Sequence, residues 1–386
     1  MNVDSVVLTD DDAIRQSLAK GAAGTALLYI ERAWAGTGSW QTAHAHIRNL
    51  MSGPIDGAQY ASLYYGAPAI AFVLHAAADR HPRYRAAAVT LDEHTRRLAR
   101  TRLAIATARR DQGEPVSFGD VDIFSGLTGI GALLLAYDPR SDALTDVLRY
   151  IISLTRPRRD DDGELPGWWT GHDPDRNVPT PGGHANFGMA HGAAGLLAFL
   201  ALATRHGHEV DGQRQAIAAL TGWFDQWRQN SDGIPWWPHW ITRSELRMGR
   251  TDQLGPGRPS WCYGTPGVAR ALQLAAIATA DPVRQEDAEN ALAACLAGDQ
   301  LRRAAEPGIC HGMAGLYQTI YRAALDSPHD TISWHLPALA SRLSRRGESV
   351  TGDGFLIGRA GFDLVLETTR STTPPRSGWD KCLLIT

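Results

Sequence analysis

The apolar positions along this chain fall at helical spacing, and the stretches that carry them begin in the same way. After Gly126 come Leu127, Ile130, Leu134 and Tyr137; after Gly192 come Leu196, Leu197 and Leu200. After Gly264 come Val268, Leu272 and Ala276, and after Gly312 come Leu316 and Ile320. Steps of three and four put each set on one face of a helix. Each run opens on a small-residue tetrapeptide, mostly G-x-x-G, at 21–24, 126–129, 192–195, 264–267, 312–315 and 358–361. A degenerate copy, Gly66-Ala67-Pro68-Ala69, stands between the first two. Two small residues one turn apart let a helix N-terminus approach its neighbours closely and leave backbone N–H groups facing the end of the bundle.

Seven copies spaced by about 45 to 72 residues suit one helical hairpin per repeat. Further helical segments, such as 91–106 and 214–227, lie between the motifs. One helix with the motif and one without it, seven times over, predicts an all-α fold: an α/α toroid of seven inner and seven outer helices. An open solenoid is the alternative. Closure would gather all seven motifs around one end. Two segments, 156–183 and 230–260, break the pattern; the second carries Trp236, Trp237 and Trp240. They are expected to be lids or peptide-binding insertions in a single domain spanning 1–386, with core or surface packing of the tryptophans as the other reading.

Composition narrows the class. With 44% hydrophobic and 20% charged residues, the 386-residue chain is globular rather than disordered, and a net charge of -3 gives no footprint for nucleic acid. The N-terminus lacks a basic region followed by an apolar core, and no apolar run reaches the roughly 18 residues of a membrane span. These features predict a cytoplasmic protein. Four cysteines (Cys262, Cys295, Cys310 and Cys382) in so long a chain point to a metal or to catalysis rather than to a disulfide framework.

The candidate chemistry sits just before or inside the motifs: Asp122, His191, then Arg258, Trp261, Cys262 and Tyr263, then Cys310 and His311. Cys262, Cys310 and His311 form a possible Cys₂His set, which as three zinc ligands would leave the fourth position open. By spacing alone each cysteine is more simply a small buried hydrophobe; the shared register before a motif brings the metal reading level with that one. His191 suits a general acid–base or a histidine bonded to a helix start. Asp122 suits an orienter of histidine or a helix cap, and Arg258 a stabiliser of negative charge or a solvated loop residue. Tyr263 and Trp261 line a pocket or fill the core. His184 is expected in a supporting role, and Cys295 and Cys382 in the core.

The segments Ser260-Trp261-Cys262-Tyr263-Gly264, Cys310-His311-Gly312, Ala190-His191-Gly192 and Asp122 to Gly129, with the tail Gly378 to Leu384, resemble the lanthionine synthetase C (LanC) family over essentially the whole chain. The resemblance implies the α/α toroid, Zn²⁺ on Cys262, Cys310 and His311, and catalytic roles for His191, Asp122, Arg258 and Tyr263. It implies intramolecular Michael addition of a precursor-peptide cysteine to dehydroalanine or dehydrobutyrine, forming thioether rings. It further implies a stand-alone, monomeric cyclase that works with a separate dehydratase and a transporter. Competing expectations are a relative that adds glutathione to dehydrated residues, a zinc-containing scaffold without catalysis, and a toroid glycosidase. The last needs paired carboxylates, and only Asp122 is in register.

Overall fold

Burial separates two kinds of helix in this chain. One kind is apolar on every side, as expected of a helix surrounded by protein: every residue from Ala193 to Ala203 is buried, as are twelve of the thirteen residues of Gly66–Ala78. The other kind has one buried stripe. In Asp142–Ser153 the buried positions are Ala143, Leu144, Val147, Leu148, Tyr150, Ile151 and Ile152, while Asp146 and Arg149 face solvent.

A computed structural model describes residues 8–175, 177–371 and 373–386. Residues 1–7, part of the stretch without signal-peptide features, and Arg176 of the first long loop lie outside the described residues. The inner helices, of which the second and fourth are the most completely buried, are Ala22–Ala35, Gly66–Ala78, Leu127–Tyr137, Ala193–Arg205, Thr265–Thr279, Met313–Asp326 and Arg359–Arg370. Each packs on the next, and the last packs on the first, so they close an inner ring. Outside it lie Trp40–Leu50, Arg85–Asp111, Asp142–Ser153, Gln213–Trp227, Pro282–Ala294 and Leu336–Ser344, each against the inner helix before it. The short helix Asp10–Arg15 precedes the first inner helix and packs on it. The double ring of the α/α toroid is thus the observed fold. No helix among the described residues is long and apolar enough to cross a membrane.

After the seventh inner helix the chain turns inward. Trp379, Asp380 and Cys382 to Ile385 are buried, most of them completely. Tyr64 Oη donates to the Cys382 carbonyl at 3.0 Å, Trp261 Nε1 to Leu383 at 2.9 Å, and Arg270 Nε to Ile385 at 3.0 Å. Asp380 accepts from Gln318 Nε2 at 2.6 Å and from Arg322 at 2.6 and 2.7 Å. Glu31 takes the backbone N–H groups of Arg376 and Ser377 at 3.0 and 2.8 Å. The tail therefore stitches together the first, second, fifth and sixth inner repeats. Cys382 and Cys295 are buried and free of disulfides, as expected of core thiols.

The two long loops are more ordered than their sequence pattern predicts. Arg158–Asp160 pairs with Gly163–Leu165, Gln229–Ser231 with Ile234–Trp236, and His184–Asn186 with Trp240–Thr242, all antiparallel. Strands of three residues are too short to show alternation. Their turns did carry a signal, Asp161-Asp162 followed by Gly163, and Asp232-Gly233. At the second, both residues have positive φ (54° and 82°), the primed turn that Asp-Gly favours. Trp236 and Trp237 are buried in the core, whereas Trp240 is half-buried.

Candidate functional site

The loops that lead into the inner helices build the site. In each repeat the loop folds back over the N-terminus of its own helix. A Cβ built on Gly267 would lie 2.0 Å from the Trp261 carbonyl oxygen, one on Gly315 1.8 Å from that of Ile309, and one on Gly361 1.7 Å from that of Phe355. Outside the degenerate second copy, where Gly66 has φ +71°, the first glycine of the motif has extended backbone, with φ -120° at Gly312 and -109° at Gly358. Its requirement is space, since a Cβ at Gly312 would meet the Glu306 carbonyl oxygen at 2.4 Å. The close neighbour is thus the chain's own loop. Backbone N–H groups at the helix start are taken by that loop: Gly267 N–H by Ser260, Gly315 N–H by Gly308. They do not stand open at the end of the ring as the motif alone suggested.

Consecutive loops, except the second and third, are joined by single backbone hydrogen bonds near the motif register. Ile123 N–H donates to Ala190, Ala190 to Cys262, Cys262 to Cys310, Cys310 to Leu356, Leu356 to Ala19 and Leu18 to Tyr64, all at 2.9–3.2 Å. This circlet explains why residues 48 positions apart meet. Cys262 and Cys310 each stand two residues before a motif glycine, in neighbouring repeats, and the N–H of one donates to the carbonyl of the other at 3.2 Å. His311 follows Cys310, as His191 follows Ala190 two loops away. Trp261, next to Cys262, is buried and pinned through its indole to the tail.

The thiols of Cys262 and Cys310 and a nitrogen of His311 lie within 4.8 Å of one another. Neither cysteine is in a disulfide. Hydrogen bonding to Cys310 holds the Cys262 thiol well below its ordinary value, against the opposing effect of burial. His311 is raised, first by its hydrogen bond to Cys262. Two soft thiols and an imidazole at this separation are a fitting donor set for a metal ion, with room for a further ligand.

Beside this cluster, His191 Nδ1 lies 2.6 Å from Asp122 Oδ2. The second carboxylate oxygen accepts from the Ser125 N–H at 2.6 Å and its hydroxyl at 3.0 Å. Asp122 is therefore both a local cap and a histidine partner. Its side chain is 1% exposed and that of His191 21%. The His191 ring stacks on Phe118 at 4.5 Å, with Phe124 at 5.1 Å and Tyr263 at 5.8 Å. Burial pushes the Tyr263 phenol up, so it stays protonated and can only donate or accept as a neutral hydroxyl.

Arg258 is 44% exposed and pairs through Nη1 with Glu306 Oε1 at 2.5 Å; the other oxygen of Glu306 lies 2.7 Å from His311 Nε2. Glu306 escaped the sequence reasoning. So did His239, whose ring lies 5.7 Å from that of Tyr263 and is lowered by burial. Neither adjoins a motif: Glu306 reaches His311 by the fold-back of their shared loop, and His239 comes in from the second long loop. His184 is fully buried, its Nδ1 2.9 Å from the His172 carbonyl oxygen, behind Phe118. Trp240 reaches Tyr263 with ring centres 6.3 Å apart.

Comparison with known proteins agrees with this picture. The chain is 24% identical over 316 residues to the nisin biosynthesis protein NisC of Lactococcus lactis subsp. lactis, a match covering 79% of this chain and 73% of that one. Its fold superposes on nisin cyclase with a TM-score of 0.82 at 20% identity, over 96% of this chain and 92% of the other. Residues 12–384 match the lanthionine synthetase C-like proteins, and the chain belongs to that family.

Proposed function

We propose that the protein is a zinc-dependent cyclase that closes thioether rings in a dehydrated precursor peptide, by adding a cysteine thiol to dehydroalanine or dehydrobutyrine of the same peptide. The observation that carries this reading is the Cys262, Cys310 and His311 cluster beside the His191–Asp122 pair. Zinc held by these three residues would supply a Lewis acid that keeps the attacking sulfur deprotonated near neutral pH.

The addition forms a C–S bond at the β-carbon and leaves an enolate, so one proton must leave sulfur and one must reach the α-carbon. With Nδ1 committed to Asp122, His191 keeps Nε2 for both transfers, first accepting and then returning the proton. Arg258 supplies positive charge for the enolate oxygen, and Tyr263 a neutral hydroxyl that orients the peptide. The whole chain acts as one unit, with segments 156–183 and 230–260 as peptide-binding insertions and Trp240 as the contact nearest the chemistry. On this reading a separate dehydratase acts first, a transporter follows, and the enzyme works as a cytoplasmic monomer.

Metal analysis of the purified protein should give about one zinc per chain, because one Cys₂His set makes one site. Cys310→Ala should lose it; stoichiometric zinc in that variant would refute the ligand assignment. His191→Ala should keep the metal and lose cyclisation of a dehydrated peptide, followed by alkylation of remaining thiols, since ring closure conserves mass.

A further inference from the structure

We infer that Glu306 is a positioning residue of this site, holding the metal-binding histidine and the active-site arginine with one carboxylate. The inference rests on the metal reading of Cys262, Cys310 and His311 and extends it to a residue that reading does not need.

Three observations place Glu306 in this role. Its oxygens are divided: Oε2 lies 2.7 Å from His311 Nε2, and Oε1 2.5 Å from Arg258 Nη1. Its backbone is fixed by the same packing that shapes the repeat, since the Glu306 carbonyl accepts from the Met313 N–H at 2.8 Å and lies where a Cβ on Gly312 would be. The carboxylate therefore projects from an anchored point, not from a free loop tip. Finally, a nitrogen of His311 lies within 4.8 Å of both thiols, so one imidazole serves the thiol cluster and meets the carboxylate.

The consequences follow from imidazole chemistry. With Nε2–H donating to Glu306, the lone pair available to a metal is on Nδ1, and the ring's tautomer and orientation are both set. A carboxylate behind a ligating imidazole also makes the ring a stronger donor. The second oxygen does separate work. Arg258 meets Glu306 on the oxygen opposite the one that faces His311, so its charge lies beside the metal-binding histidine. A guanidinium so placed and left unpaired would compete for the thiolates. Glu306 offsets that charge and keeps the fork of Arg258 at a fixed place, where it can meet an oxyanion. With its side chains 44% and 49% exposed, the ion pair itself contributes almost nothing to stability, and its role is to hold the two side chains in place.

The test compares the full-length wild-type protein with Glu306→Gln and with Glu209→Gln, which alters an exposed pair with Arg214 remote in sequence from the site. Zinc affinity is measured by competition with a chromophoric chelator, thermal unfolding checks the fold, and kcat and KM are read with a dehydrated peptide. Glu306→Gln is expected to weaken zinc binding by about 10- to 100-fold, the effect of losing such a partner behind a ligand, with an unchanged melting temperature of the metal-free protein. Glu209→Gln is expected to match wild type in every measurement. A zinc affinity within twofold of wild type in Glu306→Gln would overturn the inference while leaving the metal site standing. Wild-type protein without zinc would overturn both.

Discussion

Replacing Asp122 by asparagine probes the acid–base pair with the smallest change in shape. In Asp122→Asn the new amide oxygen can keep the two bonds from Ser125, accepting as Oδ1 does now at 2.6 and 3.0 Å. The amide NH₂ then faces His191 Nδ1, where Oδ2 stood at 2.6 Å. A donor there forces Nδ1 to accept, so the ring proton moves to Nε2 and the nitrogen left for chemistry can no longer take a proton from the thiol. With the Asp122 side chain 1% exposed, little water can make good the loss. A hydrogen bond to a charged group is worth about 1.5–3 kcal/mol, and each ~1.36 kcal/mol is tenfold in rate, so kcat should fall by about 10- to 150-fold from this bond alone. Inverting the tautomer adds to that, up to the roughly 10²–10⁴-fold that general acid–base catalysis contributes. The assay follows free thiols of a dehydrated peptide by timed alkylation, with zinc content measured in parallel and expected to stay at the wild-type level. A rate within twofold of wild type would refute the pairing as a source of catalysis.

Two further outcomes concern stability. Burial lowers His184 to about 4, from an ordinary value of 6.5. Because the folded-state value is the lower one, the unfolded chain takes up this proton first as the pH falls. The stability that neutral His184 contributes is full above pH 6.5 and is lost between 6.5 and about 4, amounting to about 3 kcal/mol. Urea unfolding at about pH 7 and about pH 4.5 should show a shallower pH dependence for His184→Asn, and parallel curves would contradict this. Gly315→Ala should destabilise by about 1–3 kcal/mol or more, because its Cβ meets the Ile309 carbonyl oxygen at 1.8 Å and neither partner is a flexible side chain. Gly222→Ala, in an outer helix with nothing within 4 Å, should instead stabilise by about 0.5–1 kcal/mol; equal melting temperatures for the two variants would undo the packing argument.

The register of the small-residue motifs made the ring and most of the site legible before any coordinates. Spacing could not do this: the 48 positions between Cys262 and Cys310 are one repeat, and a repeat length carries no metal signature. What the pattern exposed was equivalence of position, which the circlet of backbone bonds turns into contact. Residues outside the register stayed hidden. Glu306 stands six residues before Gly312 and looks like any loop acid, and His239 lies in a segment whose short strands fall below the length at which alternation can be seen. The inner helices posed the opposite difficulty. Gly66–Ala78 is buried on nearly every side, so its apolar residues mark no face, and only its place in the motif repeat pointed to a helix there.

The buried tail also bears on how such a chain reaches its native state. Its bonds join residues far apart in sequence: Tyr64 with Cys382 spans 318 positions, and Glu31 with Ser377 spans 346. Closure of the inner ring likewise waits for the last helix to meet the first. Native contacts of such high order make folding slow, because the entropy of long loops must be spent before the contacts that reward it can form. On the ribosome, the repeats emerge in turn with apolar inner faces and with Glu31, Tyr64 and Arg270 still lacking the backbone groups that satisfy them. Folding of the ring is therefore a late and cooperative event in synthesis, with an aggregation-prone interval before it, and the same residues that end the inner ring complete the support behind Trp261 and the adjoining Cys262.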